Sequence, residues 1–391
     1  MVQDPERAGR VREALAASRL DALVCRLPEN LVLLTGYYPI IGQSIVVFPA
    51  EGEATLIAPT QEGYLAAETD IADVRLYDCW RLGDPSPAES QARLLRQVAA
   101  EKRLGGSAIG FEDAFTSVAP PQMAGEPPMI GPAWSALLDE SFGPPIQPAT
   151  ELLDVLRATK TPLEVERLRR ANRVASLALA TFKEETQPGR TEVEVGAAVE
   201  RAVMTLGVGF EGARSARGFA QVMAGPNAET AWYYPVSNDR RIARGDLVVI
   251  ELGAVVDGYW SDLTRTVAAG PASDRQREVY EAVKRAQMAD LAACQPGARG
   301  DEVDAVGRRL LGEVGLARYF LHHTGHGLGF HYHEPYPWLH PDSRQTLAVG
   351  HVHSIEPGVY IPGFGGVRLE DDVAVLASGA EFLSRTDFGL D

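Results

Sequence analysis

Residues 248–267 read VVIELGAVVDGYWSDLTRTV and decide the fold of the second half of the chain. Apolar, β-branched runs flank Asp257-Gly258, a dipeptide favoured in two-residue hairpin turns. The pattern predicts a β-hairpin that brings Glu251 and Asp262 nearly opposite each other, where paired side chains are about 5 Å apart. Two carboxylates that close repel unless a cation or a proton separates them. A solvated outer face is the plain alternative, but the apolar surroundings favour a binding site.

An internal repeat places this hairpin in a larger unit. QPGRTEVEVGAAVERAVMTLG (187–207) and QPGARGDEVDAVGRRLLGEVG (295–315) are followed, at nearly equal distances, by GDLVVIELG and GHVHSIEPG. Each half is predicted to have helix, helix and then a strand carrying Ile-Glu-x-Gly, with a second carboxylate after each strand. Repeats this long indicate two related half-domains about a pseudo-twofold axis, although chance similarity is the alternative. Four carboxylates are then expected to converge: Glu251, Asp262, Glu356 and Glu370.

Two further motifs contain side chains that can bind metal or act in catalysis. HHTGHGLGFHYHEP (322–335) holds five of the eight histidines, with His326 at its centre and glycines that allow close backbone approach. A lone histidine usually packs in the core, whereas a cluster of histidines interleaved with glycines favours a binding or catalytic role. GVRLEDDV places Arg368 and Glu370 on one face of a strand. Arg368 pairs with a ligating carboxylate or holds a substrate carboxylate, and a surface salt bridge is the plain alternative.

Four carboxylates and one imidazole form a site of mostly oxygen ligands, which favours Mn, Co, Fe or Zn. Five ligands are too many for one small ion with an open position, but with bridging carboxylates they suit two ions about 3.5–4 Å apart. Such a pair would bind a bridging hydroxide, polarise a carbonyl oxygen and stabilise the oxyanion. We therefore predict hydrolysis of an amide by a dinuclear centre: Glu251, Asp262, His326, Glu356 and Glu370.

The first part of the chain predicts a separate α/β domain, residues 1–150, before a catalytic domain, residues 151–391. Residues 10–18 suit a helix, and four apolar runs predict strands of a mixed sheet with helical covers: DALVC, SIVVFP, ATLIAP and SAIGFED. Proline- and glycine-rich segments at 119–132 and just before 150 interrupt regular structure.

The catalytic part is predicted to open with a long helix. Thr161 is its N-cap, Pro162 lies in the first turn and Glu164 completes a capping box. The helix should bury one apolar face: Leu168, Ala171, Ala175, Leu179 and Phe182.

Composition narrows the class of protein. The 391 residues carry a net charge of −16, so nucleic acid and anionic lipid are not expected as partners. The three cysteines match no zinc or redox motif and are expected to be free thiols in a reducing compartment. The sequence shows no signal peptide and no transmembrane stretch, and we predict a cytoplasmic location.

These motifs resemble those of the pita-bread metallopeptidases, which include methionine aminopeptidase, Xaa-Pro aminopeptidase, Xaa-Pro dipeptidase and creatinase. The resemblance implies a creatinase-like N-terminal domain, a pita-bread catalytic domain, two ions of Mn, Co or Zn, and a homodimer. It also implies catalytic or substrate-contacting roles for four residues: His322, His333, Glu356 and Arg368.

The sequence departs from the family pattern at two positions. Glu251 stands where the family normally has aspartate, and the extra methylene would distort or weaken the metal site on that side. Trp232 stands near a usual histidine, and an indole cannot transfer a proton. Tyr233 or Tyr234 is the alternative at that position.

Three functions remain open. The near-complete ligand set favours an Xaa-Pro peptidase, acting on dipeptides or on peptide N-termini. The two departures favour a creatinase-like or ectoine-hydrolase-like enzyme that cleaves a non-peptide C–N bond. A non-catalytic binding protein on the same fold is the third, because fold does not determine function.

Overall fold

A computed structural model describes residues 4–69, 71–79, 82–114, 130–233, 236–386 and 389–390. The chain divides into two compact units, Met1–Arg157 and Ala158–Asp391. This division lies a few residues beyond the predicted boundary after residue 150. Among the described residues, no helix is long and apolar enough to cross a bilayer.

The first unit is built around a mixed six-stranded sheet in the order β4-β3-β2-β1-β5-β6. Strands β1 to β3 are antiparallel neighbours, whereas the β3–β4, β1–β5 and β5–β6 pairs are parallel. Its elements are α1 (Pro5–Ser18), β1 (Ala22–Cys25), α2 (Pro28–Thr35), β2 (Ile45–Pro49), β3 (Thr55–Pro59), α3 (Gly63–Ala66), β4 (Asp73–Tyr77), α4 (Pro87–Glu101), β5 (Ile109–Phe111), α5 (Pro132–Phe142), β6 (Ile146–Pro148) and α6 (Thr150–Ala158).

The predicted helix and the four predicted strands of this unit are confirmed, and β4 and β6 are additional. Strand β6 lies in a segment we predicted to be irregular because of its prolines. It forms at the edge of the sheet, where a missing N–H leaves no internal ladder bond unmade. Most of the predicted loop at 119–132 lies outside the described residues.

The second unit contains three sheets, in the orders β7-β8-β9, β11-β10-β12-β15-β16 and β13-β14. Its elements are α7 (Pro162–Glu185), α8 (Glu192–Gly207), β7 (Ala216–Ala224), β8 (Leu247–Val256), β9 (Tyr259–Ala268), α9 (Asp274–Ala293), α10 (Gly300–Glu313), β10 (Gly325–Gly327), β11 (Glu334–Leu339), β12 (Val352–Ile355), β13 (Gly358–Ile361), β14 (Gly365–Arg368), β15 (Asp371–Leu376) and β16 (Gly379–Phe382).

Helix α7 begins as predicted, because the Thr161 side chain accepts from the N–H of Glu164 and the Glu164 side chain accepts from the N–H of Thr161. Its apolar face is buried against α8 and the β7-β8-β9 sheet, and all five predicted residues on it are buried. The repeat is also present, since α7 and α8 precede β8 as α9 and α10 precede β12. The three cysteines are free and buried.

Candidate metal centre

The β8–β9 hairpin positions the first two carboxylates. Its turn is Asp257-Gly258, with φ of 49° and 89°, the left-handed values that a type I′ turn requires. With only two residues in the turn, Glu251 pairs with Thr264 and Asp262 pairs with Gly253. The two carboxylates are therefore nearly opposite, as predicted, with an offset of two residues. Glu251 and Asp262 are diagonal neighbours on the same face of the hairpin, still within reach of a shared cation.

His326 lies on β10 between two glycines that have no room for a side chain. A Cβ on Gly325 would lie 2.0 Å from the carbonyl oxygen of Ser354, and one on Gly327 would lie 1.9 Å from that of Tyr336. The His326 Nδ1 is 2.9 Å from the carbonyl oxygen of Gly327 and must therefore donate to it. This hydrogen bond leaves Nε2 as the nitrogen with a free lone pair.

The Nε2 atom of His326 faces two carboxylates. It lies 3.5 Å from Asp262 Oδ2 and 3.5 Å from Glu356 Oε1. Ligands bound to one ion at about 2.1 Å are separated by about 3.0–3.5 Å. The spacing is therefore the one expected for atoms that share a cation.

Glu370 joins the cluster through the segment between β14 and β15. Its backbone forms an antiparallel bridge with Thr264 of β9. The Thr264 hydroxyl lies 2.7 Å from Glu370 Oε2 and 3.1 Å from Glu251 Oε2. Thr264 thus connects the first carboxylate of the hairpin with the last carboxylate of the chain.

The predicted ligands lie close together among the described residues. Three sets have ligand atoms within 4.8 Å of one another: Glu251, Asp262 and Glu370; Asp262, His326 and His333; His323, His326 and Glu356.

The four carboxylates are buried, and their charges are only partly compensated by the protein. Burial raises the pKa of Asp262 and of Glu370, and the neighbouring carboxylates raise both further. Burial also acts to raise the pKa of Glu356, but the hydrogen bond from His323 and the nearby imidazoles bring it below its usual value.

Two buried oxygens, Asp262 Oδ2 and Glu370 Oε1, have no hydrogen-bond partner. A buried carboxylate oxygen without a donor is costly unless a cation coordinates it. The residues therefore fit divalent metal ions.

The three other predicted site residues also lie at the cluster. His333 Nε2 is 3.5 Å from Asp262 Oδ2. His322 lies further out, with Nδ1 3.9 Å from Glu356 Oε2 and Nε2 2.9 Å from the hydroxyl of Tyr360. Burial lowers the pKa of His333 and lowers that of His322 to about 4, so both imidazoles are neutral at pH 7.

Arg368 is buried and contacts the carboxylate of Glu251, which excludes a surface salt bridge. Its remaining N–H groups donate to the Thr264 hydroxyl (3.0 Å), the Tyr360 hydroxyl (2.9 Å) and the Ala231 carbonyl (2.8 Å). The guanidinium therefore holds a carboxylate of the cluster.

Sequence reasoning missed four side chains that contact the cluster: Thr264, His323, Tyr332 and Tyr360. Thr264 was detectable, because it lies two residues after Asp262 and so faces the same side of the strand. His323 and Tyr332 belong to the quoted histidine motif. No pattern pointed to Tyr360.

A small cavity of about 50 Å³ opens onto the cluster. Trp232 is 42% exposed and lines it. Tyr234 and the side chain of Tyr233, the alternatives to Trp232, lie outside what the structure describes. The other lining residues are Ala231, Glu251, His322, His323, Glu356 and Arg368.

Solved structures with a similar fold include two from prolidase-type proteins. The prolidase of Pyrococcus horikoshii OT3 superposes with a TM-score of 0.77 at 28% identity, covering 99% of this chain and 100% of that chain. The Xaa-Pro dipeptidase of Bacillus anthracis gives a TM-score of 0.79 at 26% identity, covering 98% of each chain. The fold is therefore that of the pita-bread enzymes with a creatinase-type N-terminal domain.

Sequence comparison agrees. The Xaa-Pro dipeptidase of Pyrococcus furiosus is 38% identical over 237 residues, which span 61% of this chain and 66% of that protein, slightly less than two thirds of its length. The model of the creatinase/prolidase N-terminal domain matches residues 7–126. That of metallopeptidase family M24 matches residues 166–377, more than half of the chain, and family membership implies the use of divalent metal. The match includes all five predicted ligands, and the chain belongs to metallopeptidase family M24.

Proposed function

We propose that the chain is a metal-dependent Xaa-Pro peptidase, a dipeptidase or an aminopeptidase, that hydrolyses the peptide bond before proline. Two divalent ions of Mn, Co or Zn are its cofactors. The observation that supports this best is the pair of donor-free buried oxygens, on Asp262 and Glu370, within a cluster of ligand atoms. The relatives named above, an Xaa-Pro dipeptidase and a prolidase, support the substrate class. The proposed ligands are Glu251, Asp262, His326, Glu356 and Glu370.

When bound, divalent ions lower the pKa of water and polarise a carbonyl oxygen. Glu356 is ionised at neutral pH, because its pKa is lowered, and it accepts the proton of the attacking water. The neutral imidazole of His333 has one donor and one acceptor nitrogen, which suits proton delivery to the leaving nitrogen. His322 is neutral too. Its Nδ1 donates to the carbonyl oxygen of His323, so its Nε2, at the wall of the cavity, acts as a hydrogen-bond acceptor.

Arg368 is proposed as a positioning residue. Its contacts with Glu251, Thr264 and Tyr360 fix one carboxylate and two hydroxyls around the cluster. Its guanidinium pairs with the buried carboxylate of Glu251.

One wall of the cavity suits a substrate that contains proline. The exposed indole of Trp232 offers an apolar wall against which the pyrrolidine ring of proline can pack.

The test is a substrate comparison on protein reconstituted with Mn, Co or Zn. Ala-Pro, a longer peptide beginning with Ala-Pro, and creatine are offered in parallel. We expect metal-dependent cleavage of an Xaa-Pro bond, lost in His326→Ala and Glu370→Gln. The matched control is Glu381→Gln, because Glu381 pairs with Arg169 away from the cluster. Metal-independent turnover of creatine would overturn the peptidase in favour of a creatinase-like enzyme, and neither metal binding nor turnover would indicate a binding protein.

Two further properties are also proposals. We expect a homodimer from the family resemblance, and we expect a cytoplasmic location, which the three free, buried thiols support. Sedimentation of the purified chain and localisation of a tagged copy test them separately.

A further inference from the structure

The hydroxyl of Tyr332 lies between the two carboxylates of the β8–β9 hairpin. It is 2.8 Å from Asp262 Oδ1 and also contacts Glu251 Oε1. A phenol carries one proton and can donate it to only one of these acceptors at a time. A cation bound to Glu251 Oε1 and Asp262 Oδ1 would compete with this hydroxyl for both oxygens. The Tyr332 hydroxyl therefore engages one oxygen of each ligand.

The protein already engages the whole carboxylate of Glu251. Its Oε1 accepts from Tyr332, and its Oε2 accepts from Arg368 and from Thr264. By contrast, Asp262 Oδ2 and Glu370 Oε1 have no hydrogen-bond partner. Both oxygens of Glu251 therefore accept from protein donors, whereas Asp262 and Glu370 each have one oxygen without a donor.

The ring of Tyr332 is held by its neighbours, so the hydroxyl does not swing away freely. The ring stacks on His333, with centroids 4.5 Å apart and an interplanar angle of 20°. It meets Phe219 edge-on at 4.9 Å and Trp260 at 5.8 Å. Phe219 in turn packs against Gly253, where a Cβ would lie 2.1 Å from the Phe219 ring.

We propose that Tyr332 makes the two cation positions unequal, because its hydroxyl competes with an ion for Glu251 and Asp262. The position formed by Asp262, His326, Glu356 and Glu370 fills first, and the position at Glu251 fills only when the hydroxyl is displaced. This inference rests on the proposed function, since it concerns the same metal site. It assigns to Tyr332 control over how many ions the chain holds at a given metal concentration.

The test is the substitution Tyr332→Phe, which removes the hydroxyl and keeps the ring. Mn(II) binding is measured by equilibrium dialysis with elemental analysis, and spin coupling between paired ions by electron paramagnetic resonance. For the unmodified protein we expect one tight ion and a second, weaker one. In Tyr332→Phe the second ion should bind about tenfold to a hundredfold more tightly, the equivalent of one hydrogen bond to a charged group. The coupled signal should then appear at lower Mn(II) concentration.

The matched control is Tyr259→Phe. Tyr259 lies on the β8–β9 hairpin that carries the carboxylates, but its hydroxyl accepts from Arg167 rather than facing them. This control should leave both binding constants unchanged. A second variant, Tyr332→Leu, removes the hydroxyl together with the ring and should also tighten the second ion, which keeps the test informative if Tyr332→Phe folds poorly.

Three outcomes are distinguishable. Tighter second-ion binding in Tyr332→Phe supports the proposal. Unchanged or weaker second-ion binding in both variants overturns it, and weaker binding would make the phenol oxygen a ligand. Absence of any bound metal in the unmodified protein and in both variants would overturn the proposed metallopeptidase function itself, and the proposal with it.

Discussion

Thr264 and Glu370, 106 residues apart in the sequence, are joined both through their backbones and through their side chains. The Thr264 hydroxyl donates to Glu370 or to Glu251 and accepts from the Nε of Arg368. Among the residues that the structure describes, Thr264 is therefore the one uncharged side chain that contacts Glu251, Glu370 and Arg368.

Replacing Thr264 with valine should weaken metal binding more than it weakens the fold. Valine keeps the shape of threonine but leaves Glu370 and Arg368 without their shared hydroxyl. We expect Mn(II) affinity to fall by about 10- to 100-fold, the usual effect of removing a group that orients a ligand. Isothermal titration measures it.

The control for this variant is Thr266→Val on the same strand. The Thr266 hydroxyl bonds only to the backbone of Arg368. This change should lower the melting temperature while metal affinity stays within a few-fold. Equal losses of metal affinity in the two variants would contradict the role given to Thr264.

Adding a methyl group beside His326 should remove the metal site. In Gly327→Ala the new Cβ would meet the Tyr336 carbonyl oxygen at 1.9 Å, and a backbone atom cannot rotate away. We expect a loss of stability of about 1–3 kcal/mol or more, as for other overpacked sites, together with loss of metal binding. Chemical denaturation and metal analysis measure the two effects.

Gly312→Ala is the matched control, since its Cβ would lie 3.7 Å from Ala317 in ordinary contact. Alanine is the better helix former, so this variant should be neutral or more stable by up to about 1 kcal/mol. Similar stability for the two variants would show that the backbone near His326 is more adaptable than the contacts indicate.

A buried ion pair supports the segment that carries His333. Lys160 Nζ lies 2.6 Å from Glu334 Oε2, and Glu334 Oε1 accepts from the N–H of Phe330 at 2.8 Å. Removing one partner leaves an unpaired buried charge, and Lys160→Met or Glu334→Gln should each destabilise the protein by about 3–5 kcal/mol. Urea unfolding measures the loss.

The double variant Lys160→Met/Glu334→Gln separates charge pairing from packing. Because it buries no net charge, it should recover part of the loss, so the two single effects should not add. Strict additivity would mean that the two residues act independently.

Stability of the first unit should fall as pH rises through neutrality. Burial raises the pKa of Glu112 to about 7, against the N–H of Arg26 and the amide of Asn30, which favour the ionised form. The folded state therefore binds a proton between pH 4.5 and 7 that the unfolded state has released. This contribution is fully present below pH 4.5 and is lost as pH rises through about 7, at a cost of about 3 kcal/mol.

The comparison that isolates this effect is Glu112→Gln against the unmodified protein at pH 5 and pH 8. Glutamine stays neutral, so the difference in melting temperature between the two pH values should be smaller in the variant. Histidines elsewhere, such as His351 and His353, have pKa values lowered by burial to about 4. They change the melting temperature of both proteins equally. An unchanged pH response in Glu112→Gln would contradict the assignment.

Much of the architecture was readable from the sequence because it follows from local chemistry. The capping box at Thr161, the Asp257-Gly258 turn and the alternation of the hairpin each act over a few residues, and each is confirmed. The internal repeat extended these predictions to parts of the chain that are distant in sequence, because two copies of one pattern predict that the carboxylates they carry lie close together.

What the sequence could not show depends on side-chain direction and on contacts between distant segments. Tyr332 stands between two histidines in the sequence, and its contacts with carboxylates 70 and 81 residues away become visible only in the fold. Thr264 was overlooked because threonine is ordinary in a strand.

The two-residue turn at Asp257-Gly258 also limits how this gene can change. Side chains alternate between the two faces of β9, so inserting or deleting one residue exchanges those faces if the two-residue turn is kept and the register slips by one. Asp262 would then point away from Glu251, and Ser261 or Leu263 would take its place. Natural variants of this chain should therefore keep the length of that turn, and single-codon insertions and deletions there should be absent from any lineage in which the metal site is under selection.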